Sequence, residues 1–228
     1  MPTINTATSQ GGYLVYNASA TFFPWEDLIL NTTNAANNFT STSNIYSYTG
    51  YTTARGGTWY CRRGYLTFDT STITGTLTAI SLNMYVEAVL NSPSAIVQLI
   101  STPNLTTALD ISDWQYVNGQ AASDPFYPFT SGWETIGLNG NALSVAETEN
   151  EISFVIRDHF FDYDYQNNYI DPGQLVYTEY RYNYASFIPY LDYTMVTGYG
   201  QTVNGVIAAN IGNVDGISKI NISKVLGV

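Results

Sequence analysis

Residues 77–87 read LTAISLNMYVE. Ile80, Leu82, Met84 and Val86 fall on one side of an extended chain, and Ser81, Asn83, Tyr85 and Glu87 on the other. Side chains in a strand alternate faces with period two, so the stretch reads as a strand with one buried apolar face. The pattern recurs on both sides of it. In Tyr65 to Asp69, Leu66 and Phe68 point inward, and Tyr65 and Thr67 are expected to point outward with Arg63. Ile152, Phe154 and Ile156 alternate with Ser153, Val155 and Arg157, and Leu191, Tyr193 and Met195 with Tyr190, Asp192 and Thr194. Tyr13 to Tyr16 and Ala95 to Ile100 are shorter candidates.

Turn-rich stretches separate these runs: 31–44, 50–58, 91–94, 118–128 and 166–173. No window longer than about ten residues carries a helical period. Strands of modest length with turns between them predict an all-β fold, an antiparallel β-sandwich of jelly-roll type.

The end of the chain follows another rule. From Val203 it reads VNGVIAANIGN, then VDGISKINISK, then VLGV. Val203, Val214 and Val225 are spaced by 11 residues, as are Gly205, Gly216 and Gly227. Two and a third copies of one unit are too few for a free-standing solenoid, so they are expected to stack on something else. The division predicted is a β-sandwich body at 1–197 and a repeat-built assembly or docking tail at 198–228.

Composition narrows the function classes. The 228 residues carry 7 Lys and Arg against 18 Asp and Glu, a net charge of −11. Phosphate binding rests on Lys and Arg, so a nucleic-acid partner is not expected. Both lysines, Lys219 and Lys224, lie in the tail. With only 11% charged residues and 20 Tyr, the exterior must be built largely from Tyr, Thr, Ser and Asn, which suit sheets and turns. No stretch approaches the ~20 apolar residues of a membrane helix, and residues 1–12 lack the basic start and apolar run of a signal peptide. Cys61 is the sole cysteine and reads as a small buried thiol.

A family resemblance rests on three pieces. RRGYLTFDTSTITGTLTAISLNMYV at 62–86 resembles the DNRLRE-type sandwich, in which an Arg-led strand ending in Phe-Asp is followed by a strand of this alternating kind. ISFVIRDHFFDYDYQNN at 152–168 is similar to that family's penultimate region, and IPYLDYTM at 188–195 to its closing strand. Ile188 stands where that strand carries Arg, so any role of that side chain is lost. The resemblance spans roughly 10–196, with a poorly matched middle. It implies a jelly-roll module related to carbohydrate-binding modules. The glycine-rich repeat is similar to tails on phage and other viral structural proteins. Together they imply a virion protein: a capsid accessory protein, a fibre, or a receptor-binding module on the particle surface.

Several constellations invite chemistry. Asp158, Asp162, Asp164 and Asp171, with Asn167 and Asn168, put many oxygen ligands close together. They would suit a structural Ca²⁺, or form a solvated acidic loop with Arg157 or Arg181 as counter-charge. Arg63 and Asp69 are candidates for a surface pair. His159 is the single histidine; a Ser-His-Asp site would also need a positioned Ser, and no G-x-S-x-G elbow is present. With one Cys and no Lys in the body, most covalent mechanisms lack their residues. Every acid but Asp215 lies in the body, so carboxylate pairs arise by accident.

Aromatic rings offer the better binding hypothesis, because an apolar face with a polar tip suits sugars and proteins alike. The candidates are Trp59, Tyr60, Trp114, Tyr116, Tyr127 and Trp133. The expectation is a non-enzymatic virion protein with no resident cofactor beyond that Ca²⁺. Its partners would be other virion proteins, copies of itself and host-surface glycans, without membrane insertion. The alternatives are a carbohydrate-binding module of a secreted polysaccharide-active system and, more distantly, a glycosidase or lyase.

Overall fold

The computed structural model describes residues 2–5, 12–19, 44–53, 56–91, 94–100, 114, 119–128, 131–164, 173–181, 187–196, 213–214 and 217–218. The strands are β1 (Thr3–Asn5), β2 (Gly12–Ser19), β3 (Asn44–Thr52), β4 (Thr58–Asp69), β5 (Leu77–Leu90), β6 (Ala95–Leu99), β7 (Gly132–Gly137), β8 (Glu151–Asp158), β9 (Leu175–Arg181), β10 (Tyr190–Met195), β11 (Asn213–Val214) and β12 (Ile217–Ser218). A short helix, α1 (Gly140–Thr148), precedes β8, and a π-helical turn (His159–Tyr163) follows it. The fold is all-β, as the alternation predicts.

Ten strands form one antiparallel sheet in the order β1-β10-β5-β9-β3-β4-β8-β6, with β2 on β4 and β7 on β5. Two long strands make it curl. Gly64 and Tyr65 of β4 pair with both β2 and β8, and Thr58–Arg62 pair with both β2 and β3. A strand has two edges, so β3 and β8 must share the edge opposite β2. β5 is divided likewise: β7 holds one edge, and β10 and β9 share the other. Where the two partners on one edge part, the sheet curls, with β4, β8 and β6 in one half of it and β5, β7, β9 and β10 in the other. Gly64 marks that point on β4. A Cβ there would lie 3.3 Å from the Ile45 Cβ and the Tyr46 carbonyl, so glycine lets β3 cross over β4 as it leaves.

The core fills the space between the halves. From β4, β8 and β6 it takes Leu66, Phe68, Ile152, Phe154, Ile156, Val97 and Leu99; from β5, β7, β9 and β10 it takes Ile80, Leu82, Met84, Val86, Ile136, Tyr180, Leu191 and Tyr193. Ala142 and Ala146 of α1, four residues apart on one helical face, close one side. Asn139 starts that helix, its side chain accepting from the Asn141 N–H at 3.0 Å.

The far face of β4 and β8 is not the solvent face that alternation predicts. Cys61, Arg63, Tyr65, Thr67, Val155 and Arg157 are buried there. The π-helical turn and Trp114 supply buried groups on this face: the Asp162 carboxylate bonds Arg63 and Arg157, and the Trp114 ring lies over Arg63. In the tail, β11 pairs with β12 (Val214 opposite Ile217). Val203, Gly205, Gly216, Val225 and Gly227 lie outside the described residues.

Candidate functional site

Residues paired directly across neighbouring strands present their side chains on the same face. Tyr85 pairs with Trp133, Asn83 with both Thr135 and Tyr190, Ser81 with Asp192, and Asp192 with Thr3. These residues alternate with the core residues of β5, β7 and β10, so they make up the outer face of that half of the sheet.

An aromatic ridge stands on this face. Trp133 is 47% exposed. Its ring centroid lies 6.0 Å from Tyr85, 6.4 Å from Phe187 and 5.3 Å from Tyr190, and Tyr85 and Phe187 are 4.1 Å apart. A polar row runs beside the ridge. The Thr135 hydroxyl donates to Asn83 Oδ1 at 2.6 Å, and the Asn83 amide donates to Asp192 Oδ2 at 3.3 Å. Each side chain in the row is fixed by its neighbour. Such a face offers flat apolar rings beside pre-oriented hydrogen-bonding groups.

The face continues across β9 and β3. The Arg181 guanidinium holds Glu87 through two bonds of 2.7 Å. Glu179 accepts from the Tyr46 hydroxyl at 2.8 Å and from the Asn44 amide. Burial, and then this carboxylate, push the Tyr46 hydroxyl up to about 12. Beyond lies Arg62, its guanidinium carbon 4.7 Å from the Tyr48 ring centre, 5.1 Å from Tyr46 and 5.7 Å from Tyr13.

The other sequence-derived candidates are placed differently. Trp59 is buried against Tyr51, and Trp114 is buried with the Arg63 guanidinium carbon 4.0 Å from its ring centre, so neither offers a ring face to a ligand. Tyr60 is half-buried edge-on to Tyr48. Tyr127 is exposed, with its ring 6.5 Å from Phe160. Tyr116 lies outside the described residues. The structure therefore sets Trp133 in a ridge with Tyr85, Phe187 and Tyr190, partners that were not among the sequence candidates.

Of the acidic segment, Asn167, Asn168 and Asp171 lie outside the described residues, and the described part commits its central carboxylate to arginines. Asp162 is fully buried, and its carboxylate takes Arg63 Nη2 at 2.6 Å, Arg63 Nε at 2.9 Å and Arg157 Nη2 at 2.7 Å. Burial opposes its charge, but the two arginines outweigh burial and hold it well below the usual carboxylate range. With its oxygens committed to guanidinium groups, Asp162 is not free to ligate calcium. The expected Arg63–Asp69 pair is likewise replaced: Asp69 is exposed and accepts from the Ser71 N–H. Asp158 accepts from the Phe161 N–H through Oδ1, while its buried Oδ2 has no hydrogen bond. Burial raises its carboxyl to about 7. The Asp164 N–H closes the π-helical turn on the His159 carbonyl at 2.8 Å. Among the described residues no three His, Cys, Asp or Glu side chains are grouped to hold a metal. His159 packs between Phe160 and Tyr163.

No protein-family model matches the chain, and no curated protein is similar to it in sequence. No described helix is long and apolar enough to cross a membrane.

Proposed function

We propose that this chain is a non-catalytic glycan-binding protein of a virion surface, which binds through the open face of β10, β5 and β7. The observation that carries the reading is the ridge of Trp133, Tyr85, Phe187 and Tyr190 beside the ordered Asn83, Thr135 and Asp192 row. Pyranose rings have apolar C–H faces and a polar rim. Aromatic faces cover the first, and the Thr135 hydroxyl and Asp192 carboxylate, held in place by the buried Asn83 between them, bond the second.

The non-catalytic part is supported by where the acids sit. Asp162 and Glu87 are neutralised by arginines, and Glu179 is held by Tyr46 and Asn44. The virion setting rests on the sequence: the resemblance to sandwich modules of viral structural proteins, and the 11-residue repeat at the C-terminus. A module of a secreted polysaccharide-active system would use the same face.

The test is a glycan array followed by titration calorimetry on the glycans retained. Trp133→Ala should weaken binding at least tenfold while its thermal unfolding matches the parent chain. Unchanged affinity in a folded Trp133→Ala protein would remove the ridge from the site, and a silent array would remove the glycan reading.

A further inference from the structure

Four of the five arginines of this chain are described, and three of them are committed to carboxylates. Arg63 and Arg157 hold Asp162, and Arg181 holds Glu87. Arg62 differs. Among the described residues it makes no ion pair, and its Nε is buried without an acceptor. Its half-buried side chain is walled by the rings of Tyr13, Tyr46 and Tyr48. The acid bonded into this tyrosine cluster, Glu179, is instead occupied by Tyr46 and Asn44.

Arg62 also shares a face with the aromatic ridge. Val86 pairs with Tyr180, so Tyr85 and Arg181 project from the opposite, outer side. Asn44 pairs with Arg181, Tyr46 with Glu179, and Tyr48 with both Tyr177 and Arg62. The path from Tyr85 to Arg62 crosses three strand spacings and runs four residues along β9, about 20 Å if the sheet is taken as flat.

Resting on the glycan reading, we infer that Arg62 is the anchor for a single carboxylate on the bound glycan. The ligand is an otherwise neutral oligosaccharide with one acidic sugar, several units away from the sugar stacked on Trp133. A guanidinium with no internal carboxylate accepts one in a two-pronged, charge-assisted bond. The tyrosine walls hold it in place and keep water from its faces.

Its surroundings limit the ligand to one charge. Glu179 and Asp192 lie along the same face without an arginine partner among the described residues, and the whole chain carries −11. A polymer acidic at every unit would meet repulsion along its length, with one described unpaired cation to offset it.

Matched oligosaccharides, one neutral and one ending in a uronic or sialic acid, test this by titration calorimetry on the full chain. The acid-terminated ligand should bind at least tenfold tighter in dilute buffer, and the difference should shrink as salt rises. Arg62→Gln should abolish the difference and leave neutral binding intact; Arg62→Lys should keep part of it. Equal affinity of the parent chain for the two ligands overturns the anchor while leaving the glycan face standing. Tightest binding to a polyuronate overturns the single-charge limit. Binding of neither ligand overturns the glycan face and the anchor together. Because the salt dependence is read on the parent chain, a poorly folding Arg62 variant does not block the test.

Discussion

Asp162 grips Arg63 through both carboxylate oxygens across a sequence separation of 99 residues, and neither side chain has appreciable contact with solvent. Arg157 completes the group, bonding the Asp162 carbonyl at 2.8 Å as well as its carboxylate. This ties the π-helical turn down over β4 and β8. Removing the carboxylate leaves two buried cations facing each other. Asp162→Ala should therefore cost about 3–5 kcal/mol in denaturant unfolding. Replacing Arg63, Arg157 and Asp162 together with apolar residues of similar volume should cost far less than the single change. A loss under about 1 kcal/mol for Asp162→Ala would mean that the triad is a surface-like pair.

Asp158 gives a pH dependence of opposite sign. Its folded carboxyl titrates near 7, raised by burial from an ordinary value of 3.8. Between those values the native state holds a proton that the unfolded chain has released. Stability from this group is thus full below pH 4 and falls as pH rises toward 7, by at most about 1.4 kcal/mol per pH unit. Asp162 works the other way: its lowered value adds stability that is lost only as pH falls below the ordinary carboxylate range. Asp158→Asn should raise the melting temperature at pH 8 and flatten the profile between pH 4 and 7. An unchanged profile in that window would show that Asp158 titrates as an exposed acid.

Gly119 is a test of backbone fit. A Cβ on it would sit 1.7 Å from the Leu99 carbonyl oxygen, a contact that no side-chain adjustment relieves. Next to it, the Leu99 N–H donates to the Gln120 carbonyl at 2.9 Å. Gly119→Ala should push this segment off the edge of β6 and destabilise the fold by about 1–3 kcal/mol. Hydrogen exchange should show early loss of protection at Leu99 and Ala122. Wild-type protection there would mean that the segment moves aside without cost.

The repeat makes a prediction about mass. If residues 198–228 assemble the protein, light scattering should give an oligomer for the full chain and a folded monomer for a chain ending at Thr197. Monomers in both cases would remove self-assembly from the tail and favour a free binding module.

How far the sequence could be read depended on how one-sided each strand is. β5 and β10 each have one apolar row against the core and one polar row outside, and period two found both. β3, β7 and β9 were not predicted as strands. In β3 the inward residues are Ile45, Ser47 and Thr49 and the outward ones are tyrosines, so hydropathy does not separate the faces. β8 alternates clearly, but Ser153 and Arg157 are as hidden as the core: Ser153 bonds the Thr67 hydroxyl across the strands, and Asp162 of the π-helical turn takes Arg157. Arg63 and Asp162 meet only through that turn, and no local pattern could pair them. Helix α1 did leave a signal, the Asn139 cap and the Ala142–Ala146 spacing, on a helix of nine residues. Trp133 was found among the aromatics, yet Trp59 and Trp114 looked its equals, since exposure depends on what lies over each ring.

The divided edges of β4 and β5 also bear on when this protein becomes a protein. β4 and β5 are neighbours in sequence but pair with others: β8 seats on β4 from more than 80 residues later, and β10 on β5 from more than 100. β10 in turn supplies the place for β1. A chain emerging from the ribosome would hold Leu66, Phe68, Ile80 and Leu82 without the strands that hide them. Such ladders are slow to close, because the loop entropy is lost before the contacts repay it. Folding is therefore expected after synthesis has passed β10, in one cooperative step, with the growing chain most open to aggregation while β4 and β5 wait.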